Sequence, residues 1–410
     1  ESLGSTKKQT LTKVQLPMAK QMIVLGINQT VMAAVSFVVI AALIGAPGLG
    51  KPVVSALIIR NVGQGFVAGF AVVFLAILLD RSTSAAAKKQ TSFIPPSEKT
   101  LRNQRIAKII LGIGALISVY LSRTMLWAAV WPSQISIAKQ VEMFTNDATN
   151  WALKNLYFLT VGFKDFISYS VLNPLESLLA GSPWYLTVGM VVAVALVIAE
   201  IRIAILAFVL SMSIVLSGLW YESMITLTQT IVGTLLTMMV GIALGIWTGR
   251  NDRLEKFLRP FLDAGQTLPA FVYLVPMLGL FGPTRFTAIA TGIVYSIPIV
   301  VKIVCEGIRA VPHSLVEAAT ASGSTTYQII TKVQLPAAKR TILLAVNQGL
   351  IYVLAVVVIG GFVGSGGLGY LVIVGNSKPE LQGKGLIAGL CILLLGVIFD
   401  RIMQSSARRS

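Results

Sequence analysis

The chain has 410 residues, of which 55% are hydrophobic and only 12% charged, and its formal net charge is +17. A soluble domain carries about a quarter charged residues, so this composition excludes a water-soluble globular protein and points to one dissolved largely in lipid. The basic residues are not gathered into one stripe but lie in short stretches between apolar runs, which argues against a nucleic-acid surface and fits positive-inside membrane topology.

In chain order, run length and apolar content predict an all-α, polytopic membrane protein. Two spans are expected at 22–44 and 64–80. Eight more are expected at 106–127, 184–199, 203–220, 224–248, 265–282, 286–306, 341–363 and 384–400. The polar stretch 82–105 contains Pro95-Pro96 and reads as a linker between two membrane modules, 1–81 and 106–410. Segment 133–180 is too polar to span. Within it Phe144, Ala148 and Trp151, then Leu156, Leu159 and Phe163, recur at helical spacing. That predicts amphipathic helices lying on the outer membrane surface or packed across the outer face.

Alternating the spans places Lys7, Lys8, Lys13 and Lys20 on the same face as Arg81, Lys88, Lys89, Lys99, Arg102 and Arg105. Arg250, Arg253, Lys256 and Arg259, the segment 307–340, and Arg408 with Arg409 fall there too. This is the cytoplasmic face by the positive-inside rule, and the chain is expected in a cell membrane. Cys305 and Cys391 lie in apolar runs with no disulfide framework or CxxC. A single histidine, His313, excludes a multi-histidine metal site, so no metal is expected. The sequence opens on Glu1 without a basic-then-apolar leader, and is read as beginning inside a longer protein.

Residues 4–50 align without a gap on residues 323–369: "GSTKKQTLTKVQLPMAK" matches "GSTTYQIITKVQLPAAK", and "GLG" recurs at 48–50 and 367–369. One residue further out of step, "LLDR" at 78–81 matches "IFDR" at 398–401. The repeat settles an ambiguity at "GAPGLGKP". Gly45, Gly50 and Lys51 spell most of a phosphate loop, but Pro52 stands where its hydroxyl residue belongs. In the second copy the lysine becomes Tyr370, and Gly364, Gly366 and Gly369 fit a dinucleotide fingerprint that needs a preceding strand. The two copies share only glycine, which predicts a tight turn at the end of a span, not a nucleotide site.

The stretch "VPHSLVEAATASGSTTYQIITKVQLPAAK" carries Glu317-Ala318-Ala319, then Gly323, then Leu335-Pro336. Pro312 suits a first helical turn, Gly323 a left-handed helix end, and Pro336 a break or a new start. The reading is a short helix, a turn, and a second helix leading into the membrane. The order EAA, three residues, G, nine residues, an apolar residue, one residue, LP resembles the EAA loop of binding-protein-dependent ABC importer permeases; Val333 holds a place usually given to isoleucine. "WTGRNDRLEKFLRPFLDAGQTLPAFVYLVP" resembles the permeases for glycine betaine, proline, choline and carnitine, over most of 222–402.

The resemblance implies the ABC importer type I permease fold. It implies a coupling role for Glu317, Ala318, Ala319, Gly323, Leu335 and Pro336, and through the repeat for Gly4, Leu16 and Pro17. It also implies two cytoplasmic ATPase subunits that bind the ATP, an extracytoplasmic substrate-binding protein, no cofactor or catalytic site in this chain, and a tandem form. In that form 1–81 is the back half of a first module whose front half lies outside this sequence. The alternative for the loop is a helical hairpin with no partner.

Pro269, Pro276 and Pro298 are expected within spans, where freed carbonyls need a water-filled path or neighbouring helices. With Thr267 they mark candidate lining for the route. Phe271, Tyr273 and Tyr295 either offer aromatic faces to a quaternary ammonium or are plain packing aromatics. The alternative function is an ion-coupled secondary transporter or channel, which usually leaves an ionisable residue in mid-membrane. A membrane enzyme would need a cluster of histidine, cysteine or carboxylates.

Overall fold

The computed structural model describes residues 4–43, 45–88, 98–125, 130 and 136–409, and every regular element among them is helical. The N-terminal part contributes α1 (Leu16–Leu43), α2 (Gly50–Ile59) and α3 (Val62–Lys88). Then follow α4 (Glu98–Thr124), α5 (Ala138–Asn155), α6 (Trp184–Ile198), α7 (Ile201–Leu216) and α8 (Trp220–Arg250). The rest of the chain forms α9 (Asp252–Thr267), α10 (Ala270–Phe281), α11 (Arg285–Arg309), α12 (His313–Ala321), α13 (Lys339–Ile359), α14 (Gly367–Ser377) and α15 (Gln382–Arg409).

Among the described residues six stretches are long and apolar enough to cross a bilayer: Val62–Thr83, Arg105–Thr124, Trp220–Arg250, Arg285–Arg309, Lys339–Val363 and Pro379–Ser406. The 28-residue α1 occupies the repeat position of α13. Three expected spans are corrected. The single helix expected over 265–282 is broken into α9 and α10, bent by 99°. Leu268 precedes Pro269, so it is pushed to extended geometry (φ −78°, ψ 134°), and the helix cannot continue through it. Helices α6 and α7 replace the spans at 184–199 and 203–220. Their 15 and 16 residues give about 22 and 24 Å, short of the ~30 Å hydrocarbon core. Helix α6 reaches spanning length only together with Phe158–Ala180, from which it bends by 107°.

Segment 133–180 is helical where described, but Leu156 (φ −110°, ψ 34°) interrupts it after α5. Helix α5 turns its polar face inward. Asn61 Nδ2 donates to Glu142 at 2.9 Å, and the Gly63 N–H donates to Asn146 Oδ1 at 2.8 Å. Phe144 and Trp151 point outward, 74% and 60% exposed. Such a helix is polar toward the protein and apolar toward its surroundings, the reverse of a helix on a soluble protein. The linker's flanks are helical parts of α3 and α4, while 89–97 lies outside the described residues.

Helices α8, α11 and α13 pack side by side. Gly241, Gly245 and Gly249 recur every fourth residue along α8, facing Val300, Val304 and Ile308 of α11. A Cβ at Gly245 would stand 2.6 Å from Val304 Cβ. Small residues let the backbones approach, which in lipid replaces the hydrophobic effect as the source of contact. A buried apolar cluster joins Val35, Val39, Val53 and Val72 of α1–α3 to Phe271, Leu274 and Val363.

Contacts sort the polar segments into two ends. At one end Arg81 lies near Lys256 and Arg259 around a shared cavity, Arg309 pairs with Asp252 at 2.6 Å, and Arg250 donates to Gln334. At the other, Arg285 pairs with Glu176, and Asn61 holds Glu142. Arg81, Arg250, Lys256, Arg259 and Arg309 thus share one end. Gly45 and Gly364, at equivalent repeat positions, both end a helix with positive φ (85° and 77°). A Cβ on Gly50 would overlap the Val38 carbonyl, and one on Gly369 that of Val358. The phosphate-loop lookalike is therefore a packed helix-to-helix turn.

Candidate functional site

The inner-face loop begins after α11. Helix α12 starts behind Pro312 and ends in a complete left-handed cap. Gly323 has φ +79°, its N–H donates to the Thr320 carbonyl at 3.0 Å, and the Ser324 N–H donates to Ala319 at 3.0 Å. A Cβ on Gly323 meets nothing within 4 Å, so glycine is required by the backbone angle and not by space. Thr325 then opens the second arm with a capping box: the Gln328 N–H donates to Thr325 Oγ1 at 3.3 Å, and the Thr325 N–H donates to Gln328 Oε1 at 2.8 Å. A wide π-type turn, Ile330–Gln334, follows. Pro336 explains it, because its ring clashes with the carbonyl four residues back and forces the preceding turn open.

The first copy repeats this construction. Gly4 has φ +73°, Thr6 and Gln9 form the same capping box, and Leu11–Gln15 is the same π-type turn ahead of Leu16 and Pro17. No side chain of α12 is buried: Glu317 and Ala318 are exposed, Ala319 is half-exposed, and Leu315 and Tyr327 are 48% and 75% exposed. Glu317 Oε1 stands 3.0 Å from His313 Nδ1. The far end of the loop is anchored, with Gln334 buried and holding Arg250 of α8, and Ala338 buried against α11. The loop is thus fixed at its root and bare at its tip.

Of the route residues, Tyr273 and Tyr295 are brought together, with ring centroids 5.8 Å apart, and Tyr352 of α13 joins them 5.4 Å from Tyr295. Tyr273 donates its hydroxyl to the Gly265 carbonyl at 2.8 Å, closing the corner at the α9–α10 break. Pro269 is corrected: it is not inside a span but caps α10 at that break. Phe271 is 2% exposed in an apolar core, edgewise on Phe362. Pro276 lies inside α10, half-buried, and Pro298 lies buried inside α11. The Thr267 side chain lies outside the described ones.

Below the tyrosines, Lys302 lies two turns from Tyr295 on the same face of α11. Its Nζ reaches Asp263 Oδ1 and Gln266 Oε1, each at 2.5 Å. A cavity of about 340 Å³ opens beside it at the basic end. A second cavity, of about 550 Å³, opens at the opposite end between Arg60, Asn61, Asn146, Asn150 and Pro283. The tyrosine cluster separates the two. Sequence reading missed Tyr352, which stands in no motif. Lys302 stands in no motif either, although its seven-residue spacing from Tyr295 places both on one face of a helix. Among the described residues no group of histidine, cysteine, aspartate and glutamate could hold a metal.

The family described as "Binding-protein-dependent transport system inner membrane component" matches residues 1–90 and 241–410. The chain belongs to this family. Among similar proteins, it is 32% identical over 408 residues to the trimethylamine N-oxide transport system permease protein TmoV of Pelagibacter ubique, covering 98% of this chain and 57% of that protein. It is 29% identical to TmoV of Ruegeria pomeroyi, covering 98% of this chain and 61% of that protein. The glycine betaine/proline betaine transport system permease protein ProW of Escherichia coli is 33% identical over 270 residues, 66% of this chain and 76% of that protein. The chain thus spans about three fifths of the length of the two TmoV proteins. The family assignment favours an importer permease over an ion-coupled carrier, and it places both loop copies in matched regions.

Proposed function

We propose that this chain is the membrane-spanning permease of an ATP-driven importer for quaternary-amine and related osmolyte solutes, such as glycine betaine, choline, carnitine or proline. The observation that carries the reading is the loop built twice. Two sequence-distant segments share a left-handed glycine, a capping box, a π-type turn and a Leu-Pro step. The second copy leaves its short helix without a buried side chain, touching the core through the half-buried Val316. A hairpin that merely closed a loop would not need a solvent-exposed helix fixed only at its root. Two cytoplasmic ATPase subunits would take the two loops, Glu317, Ala318 and Ala319 offering a small-residue face to grip. A binding protein would deliver solute at the opposite end, where the 550 Å³ cavity opens. ATP stays with the partners. The relatives' names support the solute class, since trimethylamine N-oxide, glycine betaine and proline betaine are all methylated amines.

The test is reconstitution with the ATPase and the binding protein in proteoliposomes. Glycine betaine should accumulate against its gradient only with ATP and all partners present. Uphill uptake by this polypeptide alone would overturn the reading.

A further inference from the structure

The inner cavity has an unusual charge balance. The chain has 33 lysines and arginines against 16 aspartates and glutamates. The 340 Å³ cavity is lined instead by three of each: Arg259, Lys302 and Arg309, with Glu255, Asp263 and Glu306. These groups come from two elements. Glu255, Arg259 and Asp263 recur every fourth residue along α9, and Lys302, Glu306 and Arg309 follow one face of α11. Arg259 pairs with Glu255 at 3.1 Å, Lys302 with Asp263 at 2.5 Å, and Arg309 with Asp252 just outside the lining at 2.6 Å, while Glu306 has no ion-pair partner among the described residues. Lys302 lies within a spanning helix, two turns below the tyrosine cluster and two turns above the helix end. The Lys302 side chain is 24% exposed and that of its partner Asp263 56%, so the pair stands at the mouth of the cavity.

A net cation entering this cavity would be held by the carboxylates and repelled by the three basic groups, and a net anion the reverse. A solute carrying both charges, separated by a few bonds, satisfies both sets at once. We propose that this cavity is the inner station of the route and selects net-neutral dipolar solutes. Lys302 takes the anionic oxygen in exchange for Asp263, and Asp263 with Glu306 faces the cationic nitrogen. The Lys302–Asp263 pair is then the gate between the tyrosines and the cytoplasm, opened by partner exchange. The solute replaces each half of the pair with a like charge, so neither Lys302 nor Asp263 is left without a partner. The inference rests on the importer reading and narrows its solute class, since choline lacks an anionic end.

The experiment uses the full transport complex in proteoliposomes and places solute on the inner side, where selectivity of the binding protein plays no part. ATP-driven uptake of labelled glycine betaine is measured against rising inner-side glycine betaine or choline. In the wild type, glycine betaine should inhibit at lower concentration than choline. In Lys302→Gln the half-inhibiting concentration of glycine betaine should rise about tenfold, the effect of losing one charge-assisted hydrogen bond, with that of choline unchanged. The exchanged pair Lys302→Asp with Asp263→Lys should recover the wild-type order. Equal inhibition of the wild type by both solutes overturns the proposal. So does an equal shift for both solutes in Lys302→Gln, or an exchanged pair as impaired as that variant. Absence of ATP-dependent glycine betaine uptake by the wild type overturns the importer reading for this solute and the inference with it.

Discussion

Gly323 shows what a single backbone angle can carry. Its φ of +79° lies in the left-handed region, and no neighbouring atom crowds it. Replacing it with valine therefore strains the backbone by about 1–3 kcal/mol without a clash. The strain falls on the cap that closes α12, not on the membrane core. Gly323→Val should insert and fold with a near-normal melting temperature yet lose solute-stimulated ATPase activity in the reconstituted complex, and Gly323→Asn, which tolerates that angle, should keep most of it. Unchanged stimulation in the valine variant would remove the loop from the coupling role. Tyr273→Phe tests a different contact: the lost hydroxyl leaves the Gly265 carbonyl unpaired at a half-buried corner and should cost about 0.5–1.5 kcal/mol in thermal unfolding. Gly323 was legible because a left-handed cap restricts the residue type. Tyr352 was not, because nothing local marks an aromatic that meets its partners only across two other helices.

At the scale of elements, hydropathy located the spans but not their direction. The run "LPAFVYLVPMLGLFG" reads as one apolar stretch, and only the Leu268–Pro269 step hints that the chain turns there. The bend lays α9 at 99° to α10. Its charged stripe, Glu255, Arg259 and Asp263, then borders the inner cavity, while Phe257 and Phe261 stay 64% and 65% exposed on another side. A surface helix of this kind suits the lipid headgroup level. The break between α6 and α7 falls where expected, but the two helices, of 15 and 16 residues, are shorter than a span, and apolar content alone does not mark that. The glycine row of α8 gives the firmest prediction at this scale. Gly245→Leu must push α8 from Val304 of α11, and overpacking of this kind typically costs about 1–3 kcal/mol or more. The expected outcome is a lower melting temperature in detergent and reduced yield of the assembled complex, whereas Gly383→Leu, at an open position of α15, should change neither.

For the molecule as a whole, composition and the repeat carried most of the reading. Arg81 and Lys256, far apart in sequence, meet at one end. A single cysteine at Lys256 and one at Asn150, placed in a background lacking Cys305 and Cys391, should react with an impermeant thiol reagent from opposite sides of the membrane. Labelling of both from one side would break the topology. What stayed illegible was tertiary: the cavities at either end and the charge pairing across α9 and α11 depend on how helices lie against one another, which no periodicity encodes. The inner-face loop has one more consequence. Helix α12 is closed by a proline at its start and by two backbone hydrogen bonds at its end, and the following arm by its own capping box. Its conformational entropy is already lost before any encounter. A protein that docks there meets a rigid peg and not a tail that must order on contact. Its association should therefore show only the heat-capacity change of the surface it covers.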